Sequence, residues 1–215
     1  MKNHFRSDNG IPLQKLLKLR KEFPLEWWQK IWEKFYFEVY SIKIDLSRVS
    51  VADFRPDFKW LVYVIPDISL NKIYTKDQLI FSLWSGYDEE SNKLDYKIPF
   101  EERDPRKIGV YVKRVRDRFE PDFELKNKSA DDLKAEGITG NTLREALFLE
   151  SFYFWFTGKH LDSKKRNLCA GSRDIYGNVP CLNWIRGALF ADGALLVSSC
   201  ETGASFEDLR SRAVV

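Results

Sequence analysis

The chain has 215 residues, of which 44% are hydrophobic, 31% charged and 15% aromatic, with 11 Gly and 8 Pro. A chain this long buries roughly 70% of its unfolded surface without staples, and the composition excludes the collagen-like, disordered and disulfide-scaffold classes. The 35 Lys and Arg against 32 Asp and Glu leave a formal charge of +3, too little for a nucleic-acid or membrane-surface footprint by bulk charge.

Met1 to Asn9 is polar, and no apolar run has the length of a signal peptide or a membrane span. The expectation is therefore no membrane span and no secretion, with the protein cytoplasmic or displayed by another route, for example on a virion. Leu13 to Arg20 and Pro24 to Tyr40 read as helices, because Trp28, Ile31, Trp32, Phe35 and Val39 recur at spacings of three and four. Trp27, Tyr36 and Phe37 widen that apolar stripe nearly to the whole circumference, the pattern of a helix covered on more than one side.

Lys59 to Ile65 is a short apolar run closed by Pro66 and reads as a strand buried on both faces. Thr75 to Ser85 reads as a helix and Ile108 to Val115 as a strand. The polar stretch Phe123 to Gly137 holds a short helix around Asp131 to Ala135. Thr142 and Glu145 then form a capping box that opens an amphipathic helix running to Phe156 and stopped by Gly158. Strands and helices without a repeating β-α alternation predict an α+β class, with the Thr142 to Phe156 helix on a mostly antiparallel sheet and the terminal strand at its centre.

Dinucleotide, P-loop, nucleophile-elbow and H-E-x-x-H motifs are absent. Only His4 and His160 are present, and Cys169, Cys181 and Cys200 lack C-x-x-C spacing, so no metal site and no cofactor are expected. The cysteines are expected as reduced thiols serving as small apolar filling. Cys169 with His160 as base is the one nucleophile arrangement the sequence offers, against a buried inert thiol. Lys107, Lys113, Arg114, Arg116 and Arg118 form a basic stretch, but interleaved Asp117 and Glu120 favour a solvated strand end over a nucleic-acid site.

Lysine occurs 20 times in residues 1–165 and never in 166–215, where that density predicts about six, and all three cysteines lie in the lysine-free segment. Leu182, Trp184, Leu189, Leu195 and Val197 keep a strand-like apolar framework there. Between them stand Ile175, Tyr176, Cys181, Asn183, Ile185, Phe190 and Cys200, a set with no common chemistry. Solvated strands normally carry Lys, Glu, Thr or Arg at outward positions, so these residues form either a recognition patch or buried filling.

The stretches TLREALFLESFYFWFTGKHLD and NLCAGSRDIYGNVPCLNW, with the closing LRSRAVV, resemble the variable proteins of diversity-generating retroelements, of archaeal or minimal-genome type. The resemblance covers roughly residues 108–215. In such systems an error-prone reverse transcriptase rewrites adenines at the 3′ end of the gene, typically in AAC or AAT codons. Substituting those adenines never yields Lys, Gln, Met, Glu or Trp, which fits the missing lysines and leaves Glu201, Glu207 and Trp184 as untargeted positions.

The resemblance implies a C-type lectin fold in a single domain, with residues 1–105 divergent and helical and residues 106–215 carrying a variable region at about 170–208. It implies a non-catalytic protein that binds an unknown protein or cell-surface ligand through displayed residues, with no nucleic-acid partner. Those residues are Asp174, Ile175, Tyr176, Cys181, Asn183, Ile185, Arg186, Ala188, Phe190, Asp192, Ala194, Ser198, Ser199, Cys200 and Thr202. Leu182, Trp184, Leu189, Leu209, Arg210, Arg212 and Val214 would be scaffold, a division resting on strand alternation. The alternatives are an enzyme of the formylglycine-generating type using Cys169, Cys181 or Cys200, and a toxin-associated or nucleic-acid-binding protein using Lys107 to Arg118.

Overall fold

A computed structural model of the chain describes residues 23–80, 83–85, 94–187 and 190–215, the side chains of 77–80, 83–85 and 190–192 excepted. The helix expected at Leu13 to Arg20 lies outside the described residues. The class is mixed α+β.

Helix α1 (Leu25–Tyr40) buries Trp28, Trp32, Phe35, Tyr36 and Val39; Trp27 and Ile31 are half-buried and Phe37 is exposed, so the apolar stripe is present but does not close around the circumference as expected. Strand β1 (Trp60–Val64) is buried along almost its whole length. Two polar anchors sew them together: Trp32 Nε1 donates to the Leu61 carbonyl at 2.9 Å and the Tyr36 hydroxyl to the Tyr63 carbonyl at 2.6 Å. Both rings thus bury their apolar bodies while their polar tips stay satisfied.

The helix expected at Thr75 to Ser85 is displaced. Helix α2 spans Leu70–Ile80 and strand β2 follows at Leu83–Ser85. The start is capped twice: the Ser69 hydroxyl accepts from the Lys72 amide at 3.1 Å, and the distant Asp95 accepts from the amides of Leu70 and Asn71, each at 2.9 Å. Asp95 lies on the short helix α3 (Leu94–Lys97), which leads to β3 (Phe100–Glu101).

Strand β4 (Tyr111–Val115) begins later than expected, because Asp104 caps a helical turn, α4 (Pro105–Ile108), that Gly109 ends at φ +80. β4 pairs antiparallel with β1. Helix α5 (Ala130–Ala135) carries its own capping box from Ser129 and Asp132.

Helix α6 (Leu143–Thr157) has the predicted capping box from Thr142 and Glu145, and Gly158 closes it in the left-handed conformation. It is not amphipathic: every residue from Leu143 to Tyr153 is buried. It touches α1 and β1 as well as β7, which leaves it no solvated face. Its charged residues are paired inward. Arg144 bonds Glu101 at 2.8 Å, and Glu145 accepts from Arg103 at 2.7 Å and from the Tyr111 hydroxyl at 3.0 Å. Burying such groups unpaired costs several kcal/mol each, so each pair fixes a neighbouring segment to the helix.

The C-terminal part adds β5 (Arg166–Leu168), β6 (Ser172–Arg173), β7 (Val179–Gly187), β8 (Phe190–Cys200) and β9 (Leu209–Arg210). The main sheet has the order β2-β8-β7-β5-β9; β7 is antiparallel to β8 and β5, whereas β2 with β8 and β5 with β9 are parallel. The terminal strand therefore lies at an edge and not at the centre. Its surroundings are nonetheless buried, as Leu209, Arg212 and Val214 show.

One core cluster runs from Trp28 to Val214 and draws on residues either side of position 105. A second, formed by Phe58, Leu125, Ala130, Leu133, Leu168, Val179, Cys181 and Leu209, lies largely on the other face of the sheet.

Candidate functional site

The β7–β8 register pairs Leu182 with Val197 and Trp184 with Leu195, which sets these four on one face. All four are buried. Cys181, Asn183 and Ile185 share the opposite face with Ala194, Leu196, Ser198 and Cys200. The alternation expected from sequence holds, and Leu182 and Trp184 are on the buried face.

Cover on the second face is uneven along the strand. Cys181 and Ala194 are both 0% exposed. Cys181 packs with Ala130, Leu133 and Leu209, because residues 123–138 lie over that end of the sheet. Neither is a displayed residue. Asn183, Ile185, Leu196, Ser198 and Cys200 are half-buried, and Arg186 is exposed at the hairpin tip. Leu196 was not among the expected displayed residues, although assigning Leu195 and Val197 to the framework already turned it to the other face. Ala188 and the side chains of Phe190 and Asp192 lie outside the described residues, as does the scaffold residue Leu189.

Other expected display positions do not join this face. Asp174 is buried, and its Oδ1 accepts from the amides of Tyr176 and Asn178 at 2.8 Å each. It builds the turn that pushes Ile175 and Tyr176 outward, the latter 74% exposed. That turn precedes β7, whereas Arg186 ends it. At about 3.3 Å per strand residue, the two exposed groups stand at opposite ends of the strand. Ser199 is exposed but has the parity of Val197, and the Thr202 hydroxyl is taken by Asp131 at 2.8 Å. Arg210, expected as scaffold, is half-buried, with its guanidinium over the Phe123 ring.

Behind the hairpin tip lies a stack of three rings, of which Trp184 is buried and His160 and Phe154 half-buried. The Trp184 indole lies 3.4 Å from the His160 ring, nearly parallel to it, and His160 stacks in turn on Phe154 at 4.5 Å. Gly193 has φ +88, and a Cβ there would overlap the indole, so only glycine lets β8 cross the ring. His160 Nδ1 meets Glu150 at 2.7 Å, and the other Glu150 oxygen accepts from the Leu161 amide at 2.9 Å.

Burial pushes the Glu150 carboxyl up to about 8 and pulls the His160 imidazole down to about 4, with the Arg186 cation adding to the latter. Between those values the pair holds one proton, carried by the carboxyl and directed at Nδ1. Nearby, Arg212 binds the Asp162 carboxylate and the carbonyls of Arg118 and Phe119. The Trp184 amide donates to the Asp162 carbonyl at 3.0 Å. Sequence spacing gave no sign of this cluster, since its members lie on four separate segments.

Cys169 is fully buried, its thiol pushed well up by burial and its sulfur next to Asn141 and the Asn167 carbonyl. An accessible thiolate is what a nucleophile needs, and this site provides neither access nor charge. Two of the basic residues are spent internally: Arg116 pairs with Asp122 and Arg118 with Glu124. No group of three or more potential metal ligands occurs among the described residues, and no helix among them is long and apolar enough to cross a membrane.

No family model, curated protein or solved structure matches this chain.

A separate cavity of about 260 Å³ opens between α1, β1, β4 and the second half of α6. Trp27, Trp28, Phe54, Trp60, Phe152 and Phe156 line it, with Lys59, Arg114 and Asp117 contributing charge. Convergent aromatic walls with a few polar groups are the usual makeup of a small-molecule pocket.

Proposed function

We propose that this protein is a non-catalytic binding protein that displays the β7–β8 hairpin to a protein or cell-surface ligand. In this reading residues 170–208 are diversified by a retroelement on a C-type-lectin-like scaffold. The observation that carries it is a coincidence of composition and position. The lysine-free segment contains this hairpin, whose Asn183, Ile185, Leu196 and Ser198 lie half-exposed on one face and whose Arg186 is exposed at the tip.

The face rests on residues that would not vary. Trp184 lies outside the set reachable from an AAY codon, and its stack on His160 holds the hairpin from behind. A rigid support lowers the ordering cost of binding. Cys181, Ala194 and Asp174 are excluded from the displayed set by burial. Display on a virion or a cell exterior belongs to this reading, because a diversified face acts on foreign surfaces.

The test is genomic. A near-repeat of the DNA encoding residues 170–208 should stand close by, differing chiefly at adenines and beside a reverse-transcriptase gene. Deep sequencing of a population should find changes concentrated at the codons for 183, 185, 186 and 198 and none at 182 or 184. A single invariant copy with no such repeat would overturn the reading.

The aromatic cavity favours a second reading, in which the space between α1, β1, β4 and α6 takes an apolar small molecule beside the Arg114 and Lys59 cations. Quenching of tryptophan fluorescence by an aryl carboxylate, lost on Trp60→Ala, would support it; no change in fluorescence would exclude it.

A further inference from the structure

Cys181 in β7 and Cys200 in β8 are free thiols on the same face of the hairpin. The register sets Cys181 opposite Ser198 and Val179 opposite Cys200, making the cysteines diagonal neighbours. Their side chains lean across that diagonal until the sulfurs lie 3.2 Å apart, with the Val179 carbonyl within reach of both. Two thiols packed this closely need only a small adjustment to bond.

Their surroundings differ in a way that orders a reaction. Cys181 is fully buried, whereas Cys200 is half-buried, so a reagent reaches Cys200 first. The hydrogen bond from Cys181 and the neighbouring Arg166 cation both favour the Cys200 thiolate. Arg166 stays in place through its two bonds to Asp208, at 2.8 and 3.0 Å. Low thiolate pKa together with access is what distinguishes a reactive cysteine from a structural one.

We propose that Cys181 and Cys200 form a thiol–disulfide exchange site, which takes a low-molecular-weight disulfide and closes a reversible cross-link across the root of the β7–β8 hairpin. The Cys200 thiolate attacks one sulfur of the disulfide and releases the other half as a thiolate. Cys181 loses its proton and attacks the Cys200 sulfur of the mixed disulfide, releasing the second half. Two electrons pass from the protein dithiol to the small disulfide, and the two thiol protons pass to the two released thiolates. The product is a hairpin whose residues 182–199 are enclosed in a covalent ring. This is independent of whether the hairpin is diversified, and it reverses the sequence-based expectation of three inert thiols.

The experiment uses the full chain with oxidised glutathione, followed by intact mass, alkylation of remaining thiols and peptide mapping. Wild type should lose two of its three thiols and the mass of two hydrogens, with the bond mapped to Cys181 and Cys200 and Cys169 still alkylated. Its melting temperature should rise and return after dithiothreitol. Cys181→Ser should stop at a glutathione adduct on Cys200, since the resolving thiol is gone. Cys200→Ser should take up no glutathione while melting at the same temperature as reduced wild type. Three thiols remaining in oxidised wild type would overturn the proposal, as would a bond to Cys169, cross-linking only between chains, or a glutathione adduct on Cys181 of the Cys200→Ser protein.

Discussion

The two ends of β7 follow the same alternation and meet opposite surroundings. At Cys181 the strand is covered on both faces, by α6 on one side and by residues around Ala130 and Leu133 on the other. Four residues on, Ile185 shares the face of Cys181 and is only half-buried, while Trp184 beneath it stays fully supported. Alternation therefore assigns a residue to a face, and cover from elsewhere in the chain decides whether that face is core or surface.

The comparison predicts the largest losses where support is removed from behind. Trp184→Ala should cost about 3–5 kcal/mol, the range for truncating a buried aromatic. Arg212→Ala should cost a similar 3–5 kcal/mol, because it leaves Asp162 buried beside carbonyls that also lose their donor. Urea unfolding measures both, and a loss below about 1 kcal/mol for either would mean that the stack behind the tip carries no weight.

A middle-sized effect should come from the face itself at its covered positions. Ala194→Phe overfills a site with no exposure and should cost about 1–3 kcal/mol. Replacing Asn183, Ile185, Arg186 and Ser198 together should leave a cooperatively folding protein, with the exposed Arg186 changing stability by no more than about 0.5 kcal/mol. A library at these four positions that came out mostly insoluble would merge the two ends of the strand into one core.

The shared proton of Glu150 and His160 gives a pH signature of the supported end. Folded, the pair keeps one proton from about pH 4 to about pH 8; unfolded, the same groups titrate near their ordinary 4.5 and 6.5. From 4.5 to 6.5 both states hold one proton and the pair's contribution is flat. As pH rises from 6.5 to 8 the unfolded chain has released a proton the fold retains, so stability falls, by about 2 kcal/mol over that interval. Below 4.5 the unfolded chain binds the second proton first, and stability falls again. Glu150→Gln should erase the alkaline fall and let the acid one begin near pH 6.5 instead of 4.5, because the buried imidazole is then the only group of the pair that titrates; an unchanged alkaline limb in melts at pH 6.5 and 8 would place that proton elsewhere.

Much of the local structure was legible because its causes are local. The Thr142–Glu145 box, the α1 stripe and the Leu182–Trp184 face depend on neighbours within a few residues. The start of α2 was legible only in half: Ser69 is a local cap that the expected start at Thr75 missed, whereas Asp95 caps it from far along the chain. Nor was the all-round burial of α6: Arg144, Glu145 and Glu150 read as a solvated face until Glu101, Arg103 and His160 are seen beside them. For the candidate site the sequence indicated the strand and the face but not its limits. Cys181 read as surface because nothing in its own segment reveals the α5 region that covers it, whereas the Asp174 turn is local, its amides lying two and four residues on, and was legible in the Asp-x-x-Gly run, although Asp174 was expected as a displayed residue.

The closing segment has a further consequence. Val215 exchanges two backbone hydrogen bonds with Arg114 in β4, and Arg212 ties to Arg118, Phe119 and Asp162. These contacts follow residues 170–208 in the chain and join the closing segment to elements made much earlier in the sequence. A frame-shifting insertion or deletion, or a premature stop, in 170–208 would replace or remove Leu209 to Val215, and with them the seam. A chain whose reading frame has slipped would then fail to close and be cleared by proteases. Leu209 to Val215 thus make closure of the fold depend on the reading frame of the codons before them.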